Sequence, residues 1–281
     1  MDVRMVLVPV LVTDMTDHPV MGLEKHNFSL YQDGQEQQIG YFSTEDAPIS
    51  VGLILDLSKS MTNKFDMVRA AVSEFFNNAN AEDDYFVITF SDRPSLVSGE
   101  TQSIDAIQSR LALQVPGGNT ALFDAISEGA LRLRSARYRR KALLIVSDGG
   151  DNHSRHHMKE IKRVLQESDL DAYAIGIFDT GPFKTMEESM GRGWLSKITD
   201  ATGGRVVAVA QASKIPEAAA AISREIRSQY VLGYRPSATS AEHTRRKIKV
   251  QVTNPGGPVA LRAYYKSGYL ASDNLSAAHP Q

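Results

Sequence analysis

At 281 residues, with 42% hydrophobic and 23% charged residues, the chain can bury one large core or two modest ones and has ordinary globular composition. A formal net charge of −2 excludes a general attraction for nucleic acid or an anionic membrane surface. The absence of cysteine excludes disulfide scaffolds, zinc–thiolate sites and cysteine nucleophiles, and no apolar run approaches the roughly 20 residues of a spanning helix.

Residues 1–46 read as β structure. The opening Val3-Arg4-Met5-Val6-Leu7-Val8 is strand-like and starts too soon after Met1 for a signal peptide, so either the protein is cytosolic or an export signal has been removed. Val6, Val8, Val10 and Val12 recur at the period of one strand face. Phe28 to Gln32 is a strand before an Asp33-Gly34 turn, with Gln38 to Phe42 as its expected partner. The region breaks at Asp46-Ala47-Pro48.

From Ile49 the pattern becomes alternating strands and helices. Val51 to Leu55 is an apolar run of the kind buried on both faces of a parallel sheet. Phe65, Val68, Val72, Phe75 and Phe76 repeat at helical spacing. Tyr85 to Phe90 is a strand, Ile104 to Leu113 a short helix, and Leu122 to Leu133 a longer one after the Pro116-Gly117-Gly118-Asn119-Thr120 loop. Ala142 to Val146 is a second buried strand, residues 156–168 a helix, and Ala172 to Phe178 a strand. Pro182 to Gly193 reads as a polar insertion, lid or loop. A helix around Trp194 to Ala201 follows, halted by Gly203-Gly204, with Trp194 as its anchor to the sheet. Val206 to Val209 is a strand and Ile215 to Gln229 a long helix. The last part returns to β, in Tyr230 to Tyr234, Lys247 to Val252 and Val259 to Tyr265, and Ser272 to Gln281 reads as a frayed tail.

The expected fold is therefore α/β: a Rossmann-like, doubly wound, mainly parallel sheet inserted between N- and C-terminal β segments that pair into a small β-sandwich. The expected divisions are 1–46, 47–232, 233–270 and the tail 271–281.

In an open α/β sheet, ligands bind beyond the carboxyl ends of the strands. There the chain places Asp56-Leu57-Ser58-Lys59-Ser60, an Asp with hydroxyls at i+2 and i+4, which are hard oxygen donors suited to Mg²⁺ or Mn²⁺. Thr120 opens a helix after Gly117-Gly118-Asn119, and Asp148 closes the second buried strand. Alone, D-x-S-x-S is weak, because Asp and Ser gather in turns for local reasons. In this order and context, Asp56, Ser58, Ser60, Thr120 and Asp148 resemble the metal-ion-dependent adhesion site of the von Willebrand factor type A (VWA) domain, written D-x-S-x-S, then T, then D. The resemblance covers about residues 47 to 232. With Asp33-Gly34 and Tyr230-Val231-Leu232-Gly233-Tyr234, the whole chain also resembles the VWA-related proteins common in acidobacterial genomes.

The resemblance implies a non-enzymatic binding module. Ser58, Ser60 and Thr120 would contact the metal or its waters, and Asp56 and Asp148 would hold it directly or through water. A protein partner's Asp or Glu would fill the open position. It also implies a place outside the cytoplasm, at the cell surface or in the periplasm.

Lys59, Asn119, Asp151 and His153 are the expected rim for that partner. Asp151, His153, His156 and His157 crowd one loop, but their spacing fits no standard metal set, and solvent-facing residues are the better reading. The basic cluster Arg132, Arg134, Arg137, Arg139, Arg140 and Lys141 is better explained by a helix C-terminus than by nucleic acid. Three Asn-x-Ser triplets, at Asn27, Asn152 and Asn274, carry no weight. Two other functions stay open. One is a Mg²⁺-dependent phosphotransfer or phosphatase-like enzyme using Asp56, although Ser58 stands where such sites place a second Asp and no general acid is evident. The other is a purely structural surface module.

Overall fold

The computed structural model describes residues 5–44, 46–101, 103–178, 186–236, 245–257 and 259–270. In chain order the elements are β1 (Val6–Thr13), β2 (Phe28–Gln32), β3 (Gln35–Gln37) and β4 (Ile39–Ser43). Next come β5 (Ile49–Asp56), α1 (Phe65–Asn77), β6 (Asp84–Phe90), β7 (Pro94–Thr101), α2 (Ile104–Leu111), α3 (Leu122–Arg134) and β8 (Arg140–Ser147). They are followed by α4 (Met158–Glu167), β9 (Asp171–Ile177), α5 (Met186–Thr199), β10 (Val206–Val209) and α6 (Ile215–Arg227). The last are β11 (Gln229–Tyr234), β12 (Arg245–Val252), β13 (Arg262–Tyr265) and β14 (Gly268–Leu270). The chain divides into two compact units, residues 47–224 and residues 1–46 with 225–281.

The α/β unit is built on a six-stranded sheet in the order β10-β9-β8-β5-β6-β7. Its five pairings are parallel except β6 with β7. Every residue of β5 is buried, as its unbroken apolar run requires of a central strand covered on both faces. Neighbouring residues of β6 mark the two faces. Phe86 joins the core cluster formed with α3, whereas the Tyr85 ring packs edge-on against Phe75 and Phe76 of α1. Gly129 lets α3 lie close to the sheet, since a Cβ there would strike Ile54 and Leu143. The antiparallel edge strand β7 was not expected. It starts with Pro94, whose missing N–H is tolerated at an edge, and its register on β6 shifts at Tyr85/Val87 and again at Val87/Ile88.

The helix expected around Trp194 starts earlier, at Met186, so residues 186–193 of the supposed polar insertion are helical, while 179–185 lie outside the described residues. Trp194, expected to anchor this helix to the sheet, instead sets its ring edge-on to Phe123 of the neighbouring helix α3, at 5.4 Å between centroids. Among the described residues, no helix is long and apolar enough to cross a membrane.

The β unit holds two four-stranded antiparallel sheets, β13-β1-β11-β4 and β14-β12-β2-β3. Val6, Val8, Val10 and Val12 of one sheet share a core with Phe28, Leu30, Ile248 and Val250 of the other, as a small sandwich does. Two expectations change here. Asp33 (φ 51°) and Gly34 (φ 86°) make the tight turn, but the hairpin partner of β2 is β3. The segment Ile39–Ser43 instead crosses to the other sheet and pairs with β11. The division placed after residue 232 also moves. β11 pairs with β1 and β4 and buries Tyr230, Leu232 and Tyr234 in the sandwich core, so the α/β unit ends at residue 224. The tail 271–281 lies outside the described residues.

Candidate metal centre

Asp56 is the last residue of β5 and is fully buried. Its Oδ1 accepts a hydrogen bond from the Ser58 amide at 2.8 Å, and its Oδ2 accepts one from the Ser147 hydroxyl at 2.6 Å. The Ser147 oxygen in turn accepts from the Gly149 amide at 2.9 Å. A single 3-10 turn over Lys59–Met61 curls the loop, and the hydroxyls of Ser58 and Ser60 come to 3.0 Å of each other. Ser58 is buried, while Lys59 and Ser60 are exposed, so the hydroxyl pair runs from interior to surface.

The second loop is fastened to the first through the backbone. The Gly117 amide donates to the Leu57 carbonyl at 2.7 Å, and the Lys59 amide donates to the Gly118 carbonyl at 3.2 Å. Gly118 has φ +86°, a left-handed conformation that a side chain would strain. Beside it, the Asn119 backbone and side-chain N–H groups donate to Asp92 Oδ1 at 2.9 and 2.7 Å, and hold the Asp92 carboxyl below its usual range. Buried Thr120 is joined to the third loop by a reciprocal pair. Its amide donates to Asn152 Oδ1 at 2.9 Å, and its carbonyl accepts from the amides of Asn152 and His153 at 3.0 and 3.1 Å.

Asp148 is buried one residue beyond β8, and its Oδ1 accepts from the Gly150 amide at 3.2 Å. Gly149 (φ +80°) and Gly191 of α5 approach so closely that a Cβ on either would collide with the other's backbone. Burial, followed by the negative charge of Asp148, pushes the Asp56 carboxyl up to about 7, against the hydrogen bonds from Ser147 and Ser58. Two acidic groups are thus held near each other in a dry place, beside hydroxyls. A small cation relieves that kind of arrangement.

Of the rim residues, Lys59, Asn119 and His153 are exposed. Asp151 is half-buried and committed elsewhere: its Oδ2 accepts from the Phe123 amide at 2.9 Å, at the start of α3, and from the Ser154 hydroxyl at 2.6 Å. His156 Nδ1 lies 2.7 Å from Asp124 Oδ1, and His157 sits at the N-cap of α4, its amide donating to Glu160 at 2.8 Å. Burial opposes ionisation of Asp124, but hydrogen bonds from His156 and Arg155 outweigh it and hold the carboxyl below its ordinary value. These side chains brace the loop rather than converge. Among the described residues, no group of three or more His, Cys, Asp or Glu is placed to hold a metal.

In the basic cluster, Arg132 pairs with Glu128 and Arg134 with Glu167, while Lys141 donates to the Arg134 carbonyl at the end of α3. Sequence reasoning missed Asp92, Asp124, Ser147 and Asn152. Asp92 carried a usable signal, since it stands just past the end of β6 as Asp148 stands past β8. Asn152 lay inside a triplet discounted as a glycosylation pattern.

A family model described as von Willebrand factor type A domain matches residues 51–150, which hold Asp56, Thr120 and Asp148. The α/β unit is a von Willebrand factor type A domain. Solved structures share the fold. A von Willebrand factor type A protein from Catenulispora acidiphila superposes with a TM-score of 0.55 at 13% identity, over 88% of this chain and 74% of that one. The PilB minor pilin from Streptococcus sanguinis gives 0.53 at 14% identity over 66% of this chain, which spans only 62% of the pilin. An aerotolerance-related membrane protein from Bacteroides fragilis gives 0.51 at 16% identity, over 63% of this chain and 98% of that one. No curated protein matches the chain in sequence.

Proposed function

We propose that the VWA domain is a divalent-cation-dependent protein-binding module that captures an acidic residue of a partner. The observation that carries this reading is the pairing of a fully buried Asp56 with a nearby second carboxylate, Asp148, at strand ends tied by hydrogen bonds to the loop of Thr120. The donor chemistry fits a hard ion: carboxylates from Asp56 and Asp148, and hydroxyls from Ser58, Ser60 and Thr120, would hold Mg²⁺ or Mn²⁺ directly or through water. Two carboxylates formally balance the ion's charge, but where they act through water its direct donors are neutral hydroxyls, which leaves it electrophilic and favours a carboxylate from outside. When bound, the ion would supply Lewis-acid attraction for that carboxylate. The chain's own residues hold the loops, keep Asp56 dry and set the rim.

On this reading the protein is not an enzyme, and the alternative of Asp56 as a phosphoryl acceptor has Ser58 where such sites place a second Asp. The minor pilin and the membrane protein among the structural neighbours support an extracytoplasmic place for the domain. Thermal melting in Mg²⁺, Mn²⁺ and EDTA tests the reading in wild type and Asp56→Ala. The expected result is a metal-dependent rise in the wild type alone, with EDTA-sensitive capture of proteins from the native organism's envelope. A melting temperature and a capture profile that ignore chelation would discard it, and phosphatase turnover lost in Asp56→Asn would put the enzyme in its place.

A further inference from the structure

The loop that leads into the Thr120 segment carries two aliphatic side chains in full view. Leu113 is 80% exposed and Val115 is 85% exposed, while the next most exposed large hydrophobic among the described residues, Val259, stands at 59%. Scattered exposed aliphatics need no explanation, but these are placed two residues apart on a braced segment. The Leu113 amide donates to the Arg110 carbonyl and the Gln114 amide to the Leu111 carbonyl, which continues the end of α2 as turns. Pro116 then confines Val115 to extended backbone. Two residues beyond Val115, Gly117 is hydrogen-bonded to Leu57, between Asp56 and Ser58. The aliphatic pair therefore belongs to the same loop system as the metal centre.

We infer that Leu113 and Val115 form the apolar half of the docking surface, and that the partner presents its acidic residue with an aliphatic residue a few positions away. The inference rests on the proposed metal-dependent capture and adds the chemistry of the partner segment. Charge decides the kind of occupant. Residues 111–123 include no charged side chain, the Asp92 carboxylate that lies against this loop is engaged by both N–H groups of Asn119, and Lys59 is the exposed cation within the Asp56 loop. A partner with clustered charge would waste its desolvation here, whereas one acid flanked by Leu, Ile or Val would meet the ion with the first and the uncharged loop with the second. An anionic lipid surface fits poorly, because membrane-docking aliphatics are accompanied by Lys or Arg and this segment has neither. Apolar contact beside the carboxylate would also exclude water from it, as the near-neutral ring around an interface hot spot does.

Short immobilised peptides test the inference, each with one central Asp in a Gly/Ser background, with and without a Leu at each flanking position. Binding is read in Mg²⁺ and in EDTA, with Asn in place of Asp as control, for wild type and the Leu113→Ser/Val115→Ser double variant. The expected result is Mg²⁺-dependent binding that needs Asp and is strengthened about tenfold or more by a neighbouring Leu, the scale of burying one or two aliphatic groups. The double variant should lose the Leu preference and keep both the Asp requirement and the Mg²⁺ shift in melting. Asp-dependent binding indifferent to Leu, or a preference that survives the double substitution, would overturn this inference and leave the metal reading standing. No Mg²⁺-dependent capture of any Asp peptide would remove both. Concentration-dependent dimerisation in sedimentation velocity, abolished by the double variant, would assign the pair to a second copy of the chain and overturn the partner proposed here.

Discussion

The core between the two sheets of the β unit and the strand ends of the α/β unit bury polar side chains in opposite ways. Between the two sheets of the β unit, neutral side chains satisfy one another: Gln32 Oε1 accepts from Tyr234 at 2.7 Å and from Tyr269 at 3.0 Å. Likewise, the Tyr230 hydroxyl donates to the Val20 carbonyl and accepts from the Leu23 amide. Burial pushes both Tyr234 and Tyr230 further from ionisation, so the network stays closed at any ordinary pH. At the strand ends of the α/β unit, acidic groups of like sign are buried instead, and hydrogen bonding offsets only part of the cost for Asp56. The first pattern specifies a core. The second leaves a cost of burying acidic groups that the hydrogen bonds around them do not fully offset.

The largest effect expected on this comparison is in the sandwich. Tyr234→Ala removes a fully buried ring and should cost about 3–5 kcal/mol in urea unfolding, the range for aromatic truncation, with no change in the response to Mg²⁺. A lost metal response in that variant would break the separation of roles. Next comes the pH dependence of Asp56. Its carboxyl sits near 7 in the folded chain against an ordinary value of 3.8, so between these values the folded state keeps a proton that the unfolded state has lost. Stability of the metal-free protein should therefore fall as pH rises through that window, by at most about 4 kcal/mol at ~1.4 kcal/mol per unit. Asp56→Asn should flatten this slope in EDTA. Parallel pH profiles for the two proteins would mean that folded Asp56 does not retain its proton in that window.

Asn152→Ala should cost about 1–2 kcal/mol through the lost bond to the Thr120 amide, and should weaken the Mg²⁺ shift in melting by loosening the Thr120 loop. An unchanged shift would leave Asn152 with a stabilising role alone. The smallest effect, about 1 kcal/mol or less, is expected for Tyr234→Phe, because Tyr269 still donates to Gln32.

Much of this division was legible in the sequence, for reasons that differ between the units. The apolar runs of β5 and β8 end in Asp56 and one residue before Asp148, and period alone locates such strands. The oxygen-bearing residues of the candidate centre could be named because their order and local context are distinctive, even though the loops are far apart in the chain. The pieces that escaped depend on pairing across long separations. Whether Ile39–Ser43 folds back on β2 or crosses to β11 is a choice of sheet around one shared core, and no local pattern encodes that choice. β11 looked like the end of the α/β unit because it directly follows α6, yet its partners are β1 and β4. Asn152 and Asp92 act by holding backbone amides of other loops, and a hydrogen bond to a distant amide leaves no trace in composition or spacing.

Crystals soaked in manganese and measured for anomalous scattering offer the most direct test of the central claim. The account expects one strong peak bounded by the oxygens of Asp56, Ser58, Ser60, Thr120 and Asp148, absent from Asp56→Ala crystals treated alike. A blank map at that position in well-ordered wild-type crystals would contradict it.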